Sequence, residues 1–411
     1  MRTVLARTAL ALSLLASCAP LGALAQSRRL PPQPPQKKNP RPGDQPTKDE
    51  QQQEPLPNDI VNDKEQEVVK VDTRIVNIEA VVINKKTKQI VMGLKKENFG
   101  VFEDGQPREV TNFSTPEAPI TVAVVMEYSK LGQIFGYYGS GGMDAGQLEV
   151  LRPMAMFLQQ FIRPPQDYAS VIAYDMRPTP LTDFTNDPAR LSAVVNLLLR
   201  NQPAFRETNL FDALKFTLVG GRGDAVVMEN SESREADYAG MASLQGRRKA
   251  LFLISSGVDT FSKINYDQAR KIAQNAGVPI YIVGTGELFM KRYGDQMGAQ
   301  DGLEGATSPG RMTMLQAKNT LQTFANETGG AYFPVTFPTE LPSTLATINA
   351  MMRSQYSLAF RPDEQRRDGK RRKLEVKVDI DGDGKYEDKD FIVRARQFYN
   401  PPKDEKVSEK K

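Results

Sequence analysis

Between Ile120 and about Phe333, apolar runs alternate with segments of helical spacing, and this alternation restricts the fold more than any other feature of the chain. The runs are Ile120 to Met126, Ala169 to Tyr174, Ala250 to Ile254 and Val278 to Gly284. None has the in–out alternation of a half-exposed strand, so each reads as a strand buried on both faces. Helical spacing fills the intervals. Leu191 to Leu199 follows the cap-like Asn186-Asp187-Pro188, Leu210 to Leu218 comes next, and Tyr266 to Asn275 stops at Gly277. Leu315 to Thr328 ends at Gly329-Gly330, and a further helix covers about Leu341 to Met352. Strands and helices in this order need right-handed crossovers, which give an α/β fold: an open, mostly parallel sheet with helices on both faces. Ligands of such sheets bind beyond the carboxyl ends of the strands.

The two flanks read differently. Residues 67–118 alternate at period two through Val69, Val71, Thr73, Ile75, Ile78, Ala80 and Val82, turn at residues 84–88, and resume at Ile90-Val91. Phe99 to Glu103 runs into an Asp104-Gly105 turn, with Val110 to Phe113 after it, so this stretch is expected to be a small β-module. Residues 353–399 supply three more strands, at Gln355 to Phe360, Lys373 to Val378 and Phe391 to Arg396. They are expected to pair with the first flank, making one accessory β-domain from both sides of the α/β domain at 119–352.

Histidine is absent from the 411 residues and the one cysteine is Cys18. Imidazole catalysis, cysteine–histidine zinc sites and disulfides within the chain are thereby excluded, and any bound metal must be held by oxygen, as magnesium, calcium and manganese are. The net charge of +4 is small and mixed along the sequence, so no nucleic-acid surface is expected. Residues 1–25 carry Arg2 and Arg7, then an apolar run, then Ala23-Leu24-Ala25, the pattern of a bacterial export signal. Two exits stay open: Leu15-Ala16-Ser17-Cys18 fits a lipobox with Cys18 lipidated, and Ala23-Leu24-Ala25 fits soluble cleavage. The expected location is correspondingly periplasmic, outer-membrane lipoprotein or extracellular, with membrane contact only through that lipid. Residues 26–66, rich in Pro and Gln, cannot bury enough apolar surface to offset their ordering entropy and read as a tether; residues 400–411 read as a disordered tail.

Three segments carry a family resemblance. Glu127-x-Ser129-x-Leu131 ends the first apolar strand, Thr208-Asn209-Leu210-Phe211-Asp212-Ala213-Leu214 opens a helix, and Ile254-Ser255-Ser256-Gly257 ends the third strand. In this order they resemble the von Willebrand factor type A (VWA) family, which has Asp-x-Ser-x-Ser, Thr-Asn-Leu-x-Asp-Ala-Leu and Thr-Asp-Gly at the corresponding places. The resemblance covers about residues 119–350 and implies a Rossmann-like open sheet with a cation at its carboxyl end, completed by a partner's carboxylate. The stretch from Gly93 to Gly105 is similar to exported acidobacterial proteins that carry a related domain.

Carried over by position, Ser129 and Thr208 keep the family's residues, Glu127 lengthens one acid by a methylene, and Leu131 and Ser256 lose a hydroxyl and a carboxylate. A hard cation needs about six oxygens with enough charge to replace its water. Two readings follow: Glu127, Ser129, Thr208 and Ser256 hold magnesium weakly through water, or the hydroxyls cap turns and Glu127 meets a helix N-terminus or a basic group. One carboxylate where the family has two makes magnesium the weaker reading. Asp259 is a further candidate ligand.

A second oxygen cluster lies at residues 379–390. Asp379, Asp381, Asp383, Glu387 and Asp390 occupy loop positions one, three, five, nine and twelve, Gly384 sits at six, and Lys385 can offer its carbonyl. The pattern resembles an EF-hand or dockerin-type calcium loop, with Asp390 where a glutamate is usual and strands in place of flanking helices. A plain Asp-Gly turn is the alternative.

Other motifs carry less. Arg222-Gly223-Asp224 is a tripeptide read by some integrins, here in a long insertion; Gly136 to Gly142 is a glycine–tyrosine loop placed on the binding face; residues 286–312 form another insertion at that end. The expected function is a non-enzymatic exported module that binds another protein or a surface polymer. A structural envelope protein is the alternative. A hydrolase using Glu127, Ser129 and Lys130 is a weaker one, because no motif places a base.

Overall fold

The computed structural model describes residues 75–116, 119–134, 145–224, 235–244, 247–298, 309–362 and 368–401. The leader, the tether, Cys18, the strand expected around Val69 to Thr73, the loop at 136–142 and the tail from residue 402 lie outside the described residues. Among those described, no helix is long and apolar enough to cross a membrane.

Six strands form the central sheet: β5 (Ile120–Glu127), β6 (Tyr168–Tyr174), β7 (Pro178–Thr185), β10 (Arg248–Ser255), β11 (Ile280–Gly284) and β12 (Ala331–Pro334). Their spatial order is β12-β11-β10-β5-β6-β7, and every pairing is parallel except that of β7 with β6. Numbered along this unit, that order is 3-2-1-4-5-6, the doubly wound arrangement, with an antiparallel edge. The chain reverses its direction of winding between β5 and β10. The crevice therefore opens at the ends of these two strands, where Glu127 and Ser255 stand.

All eight residues of β5 are buried, as a strand covered on both faces must be. Val122, Val124 and Met126 face α2 (Ala145–Phe161), α3 (Pro188–Arg200) and α8 (Leu341–Arg353); Ala123 and Val125 face α4 (Leu210–Val219), α5 (Tyr266–Ala276) and α7 (Arg311–Thr328). Each fully buried large side chain contributes roughly 1.5–3 kcal/mol, so these two layers dominate the stability of the unit. The helix signals acted as expected. The Asp187 side chain accepts from the Ala189 amide at 2.8 Å with Pro188 in the first turn, and Gly277 and Gly329 end α5 and α7 in the left-handed region.

The flanks form two antiparallel four-stranded sheets over one core. The first, in order β15-β1-β13-β4, joins β1 (Val76–Asn84) and β4 (Asn112–Ser114) to β13 (Tyr356–Phe360) and β15 (Phe391–Ala395). The second, β16-β14-β2-β3, joins β2 (Phe99–Glu103) and β3 (Gln106–Arg108) to β14 (Arg372–Val378) and β16 (Phe398–Tyr399). Ile78, Phe99, Val101, Tyr356, Phe360, Val376 and Tyr399 fill the space between them. The accessory β-domain is thus drawn from both sides of the α/β domain.

Several elements depart from the sequence expectations. The edge strand β7 went unread because its prolines at 178 and 180 break strand propensity, and only an edge position with unpaired amides tolerates them. Helix α2 was hidden by Pro153 in its middle. Within residues 286–312, Gly286–Tyr293 form α6 and α7 begins at Arg311, earlier than its apolar spacing indicated, while residues 299–308 lie outside the described residues. Arg222 lies on β8 (Gly220–Asp224), paired with β9 (Glu235–Ala239), so the tripeptide is part of a hairpin strand rather than a free loop.

Candidate functional site

Three strand ends meet at Glu127. Tyr174 is its register partner on β6, and Ser255 ends the neighbouring β10. Glu127 is 1% exposed, and both carboxyl oxygens are engaged. Oε2 accepts from the Ser256 amide at 2.8 Å, the Ser256 hydroxyl at 2.7 Å and the Ser255 hydroxyl at 3.4 Å; Oε1 accepts from the Ser129 hydroxyl at 3.2 Å. The serines are themselves held. Gly132 donates its amide to Ser129 Oγ at 2.9 Å, Gly257 donates to Ser255 Oγ at 2.9 Å, and Tyr174 donates its hydroxyl to Ser255 Oγ at 2.7 Å. Gly257 has φ of +83°, and a Cβ there would stand 2.7 Å from the Ala317 carbonyl, so the turn that brings Ser256 back over Glu127 requires glycine.

Of the four residues read as a degenerate cation site, Glu127, Ser129 and Ser256 come together. Thr208 turns away: its hydroxyl donates to the Val258 carbonyl at 2.8 Å, tying the α4 turn to the loop after β10. Asp259 also stands apart, accepting from Ser262 Oγ at 2.5 Å and the Phe211 amide at 3.4 Å near the start of α4. Ser255 and Tyr174 belong to the cluster and were missed. The readable signal was a polar residue at each of three apolar strand ends, but which ends adjoin depends on strand order.

Leu131, on the short helix α1 (Lys130–Ile134), belongs to an apolar cluster of its own. It is 4% exposed and packs with Val258, Met314 and Ala317, with Phe289, Met290 and Met297 around them. Where the family has a hydroxyl, this chain has a leucine spent on hydrocarbon packing. Burial pushes the Glu127 carboxyl above its ordinary range, and the hydrogen bonds from Ser256, Ser129 and Ser255 oppose that shift. Among the described residues the hydrogen-bond partners of Glu127 are three serine hydroxyls and one strand-end amide, in place of the helix N-terminus or basic group expected.

The acidic loop is built differently. Carboxylate oxygens of Asp379, Asp381, Asp383 and Glu387 all lie within 4.8 Å of one another. Oxygens on opposite sides of a calcium ion at 2.3–2.6 Å would stand roughly 4.6–5.2 Å apart, so this spacing fits such an ion. Gly382 and Gly384 donate their amides to the two oxygens of Asp379 at 2.7 and 2.8 Å, and Ile380 donates to Glu387 at 2.7 Å. One member of the expected set lies elsewhere. Asp390 turns outward to Lys86 at 3.1 Å, because its amide is held by the Glu387 carbonyl and β15 starts at the next residue. The Lys385 side chain pairs with Asp383 at 3.0 Å.

The strand order and the placement of Glu127 and Ser129 at its switch point agree with the doubly wound α/β fold that the von Willebrand factor type A resemblance implies. Solved structures with similar chains include an aerotolerance-related membrane protein from Bacteroides fragilis, at 14% identity over 57% of this chain and 98% of that one, with a TM-score of 0.36. The vWF domain of a type V pilus tip protein from Porphyromonas gingivalis gives 14% identity, 57% and 95% coverage and a TM-score of 0.36. Proximal thread matrix protein 1 from the mussel byssus, with zinc in its MIDAS motif, gives 12% identity and a TM-score of 0.37; the match covers 61% of this chain and 49% of the mussel chain. No protein-family model and no curated protein matches the sequence.

Proposed function

We propose that this chain is an exported, non-enzymatic binding module of the acidobacterial kind its Gly93 to Gly105 segment resembles, contacting another protein or a surface polymer through the carboxyl end of its central sheet. The observation that carries this reading is the contrast on that face between a sealed cluster and an exposed rim. Glu127 is 1% exposed and spent on serines, while Phe205 and Phe261 are 41% and 51% exposed. Both phenylalanines are anchored at the same strand ends, since the Lys130 amide donates to the Phe205 carbonyl at 2.8 Å and the Phe261 amide to the Thr208 carbonyl at 2.9 Å. Rigid, exposed aromatics of this kind serve as contact anchors.

Hydrolysis is disfavoured by the same geometry. Ser129 is 1% exposed and its hydroxyl is fixed by Gly132 and Glu127, leaving a substrate no approach. A cation at the sheet end is disfavoured because Glu127 is the one carboxylate in the cluster. In this reading calcium belongs to the β-domain, where Asp379, Asp381, Asp383 and Glu387 would hold it and the ion would brace the loop between β14 and β15.

The test is capture from detergent extracts of the source cells, comparing the intact chain with a Phe205→Ala, Phe261→Ala variant. A partner retained by the first and lost by the second supports the reading. Equal capture, or none, leaves the domain a structural component. Globomycin sensitivity of processing, compared between the intact chain and Cys18→Ala, decides between lipid anchoring and soluble release.

A further inference from the structure

Beside the sealed cluster, a cavity of about 300 Å³ opens between the ends of β5 and β6, the start of β7 and the carboxyl end of α3. Its wall is mostly apolar, from Ala173, Leu181, Leu197 and Leu198, with Tyr128 adding aromatic surface. One charged group lines it: Asp175, whose amide-bonded turn is fixed by the Asn209 amide donating to the Asp175 carbonyl at 2.8 Å. The Asp175 carboxylate receives the Arg177 amide at a long 3.4 Å, and the Arg177 charge and the Met176 amide partly oppose the effect of its burial. The remaining polar wall is the end of α3. Tyr128 donates its hydroxyl to the Leu198 carbonyl at 2.9 Å and the Asn201 carbonyl at 2.5 Å, and the Asn201 side chain donates to the Leu197 carbonyl at 2.6 Å.

These parts share one electrostatic sign. A helix carboxyl end presents carbonyl oxygens and the negative end of its dipole. The aromatic face of Tyr128 attracts cations. Burial pushes the Asp175 carboxyl above its ordinary range, which an incoming cation would reverse. An apolar wall suits the methylene stem of a long basic side chain, and a carboxylate at its end suits a planar guanidinium or an ammonium.

We propose that this cavity is a binding pocket for a basic side chain, arginine foremost, presented by a partner protein. The guanidinium sits on Asp175 and the α3 carbonyl end, with its stem along Leu181 and Leu198. The proposal rests on the protein-binding reading only for the source of the side chain; the pocket chemistry stands on Asp175 and its walls.

The test uses the full chain and a capped Gly-Arg-Gly peptide, with a capped Gly-citrulline-Gly peptide as the neutral isostere, followed by amide chemical shifts. Saturable shifts at Tyr128, Asp175 and Asn201 with the arginine peptide, at least tenfold weaker for citrulline, are expected. Asp175→Asn is close in shape and should weaken the arginine peptide at least fivefold without changing the citrulline response; Leu197→Trp, which fills the cavity, should abolish both. Equal binding of the two peptides, no effect of Asp175→Asn, or no shifts at all overturns the proposal. If a partner is captured through Phe205 and Phe261 while the peptides fail, this pocket falls and the binding module stands; peptides that bind without any captured partner give the opposite outcome.

Discussion

Two acidic centres of this molecule solve opposite problems. At the sheet end, Glu127 lies 1% exposed, with both oxygens satisfied by serines and an amide. In the β-domain, Asp379, Asp381, Asp383 and Glu387 crowd within 4.8 Å, and Asp381 and Asp383 are exposed. A single buried carboxylate can be stabilised by hydroxyls alone, because hydrogen bonds replace the water it lost. Four crowded carboxylates repel one another, and amides satisfy only part of that charge. The first centre is complete as it stands, whereas the second has the charge and spacing that a cation would relieve.

The largest expected effect lies at Leu131. Leu131→Ser restores the hydroxyl the family has at that position, but it removes a buried side chain from the Val258, Met314 and Ala317 cluster and should cost about 2–4 kcal/mol in denaturant unfolding. Millimolar magnesium should not recover the loss; recovery would return Glu127 to the metal sites. Next comes calcium. At one hundred times its dissociation constant a ligand of the native state adds about 2.7 kcal/mol, so calcium should raise the melting temperature, and chelation should reverse the rise. Asp381→Ala together with Asp383→Ala should abolish the response, and a wild-type chain indifferent to calcium would leave a plain turn there.

A smaller effect separates the two centres by pH. The folded Glu127 carboxyl titrates above its ordinary 4.5, so the native state holds this proton longer than the unfolded chain does. Stability from this group therefore falls as pH rises from about 4.5 through the folded value, and is unaffected at lower pH. Glu127→Gln removes that loss. The variant should be more stable than wild type at neutral pH, with the difference closing as pH falls below the unfolded value; a destabilised variant at neutral pH would mean that the charged form is the native one. The smallest effect concerns Asp390, half exposed on Lys86. Asp390→Ala should change stability by no more than about 0.5 kcal/mol and leave the calcium response intact. Loss of that response would bring Asp390 back into the loop's ligand set.

Much of the fold was legible because burial on both faces leaves a plain mark. The runs at Ile120, Ala169, Ala250 and Val278 had to be interior strands, and Asp187-Pro188, Gly277 and Gly329 marked helix ends through local backbone chemistry. The edge strand β7 was not legible, since Pro178 and Pro180 oppose a strand until an edge position makes their missing amides harmless. At the site, Glu127, Ser129 and Ser256 could be named from the motif. Ser255 and Tyr174 could not, because only the order β10-β5-β6 makes those strand ends neighbours. The cavity at Asp175 left no motif either, being made from the ends of four separate elements.

By itself, then, the sequence determined the α/β architecture, the absence of histidine and cysteine chemistry from the folded part, and the acidic spacing at residues 379–390, all of which follow from residue type and short-range periodicity. Only the tertiary structure decided that Thr208 faces the Val258 carbonyl, that Asp390 leaves the acidic loop for Lys86, and that Leu131 packs with Val258, Met314 and Ala317. Each of those outcomes depends on which group distant in the sequence comes into contact, a matter of packing between elements far apart in the chain.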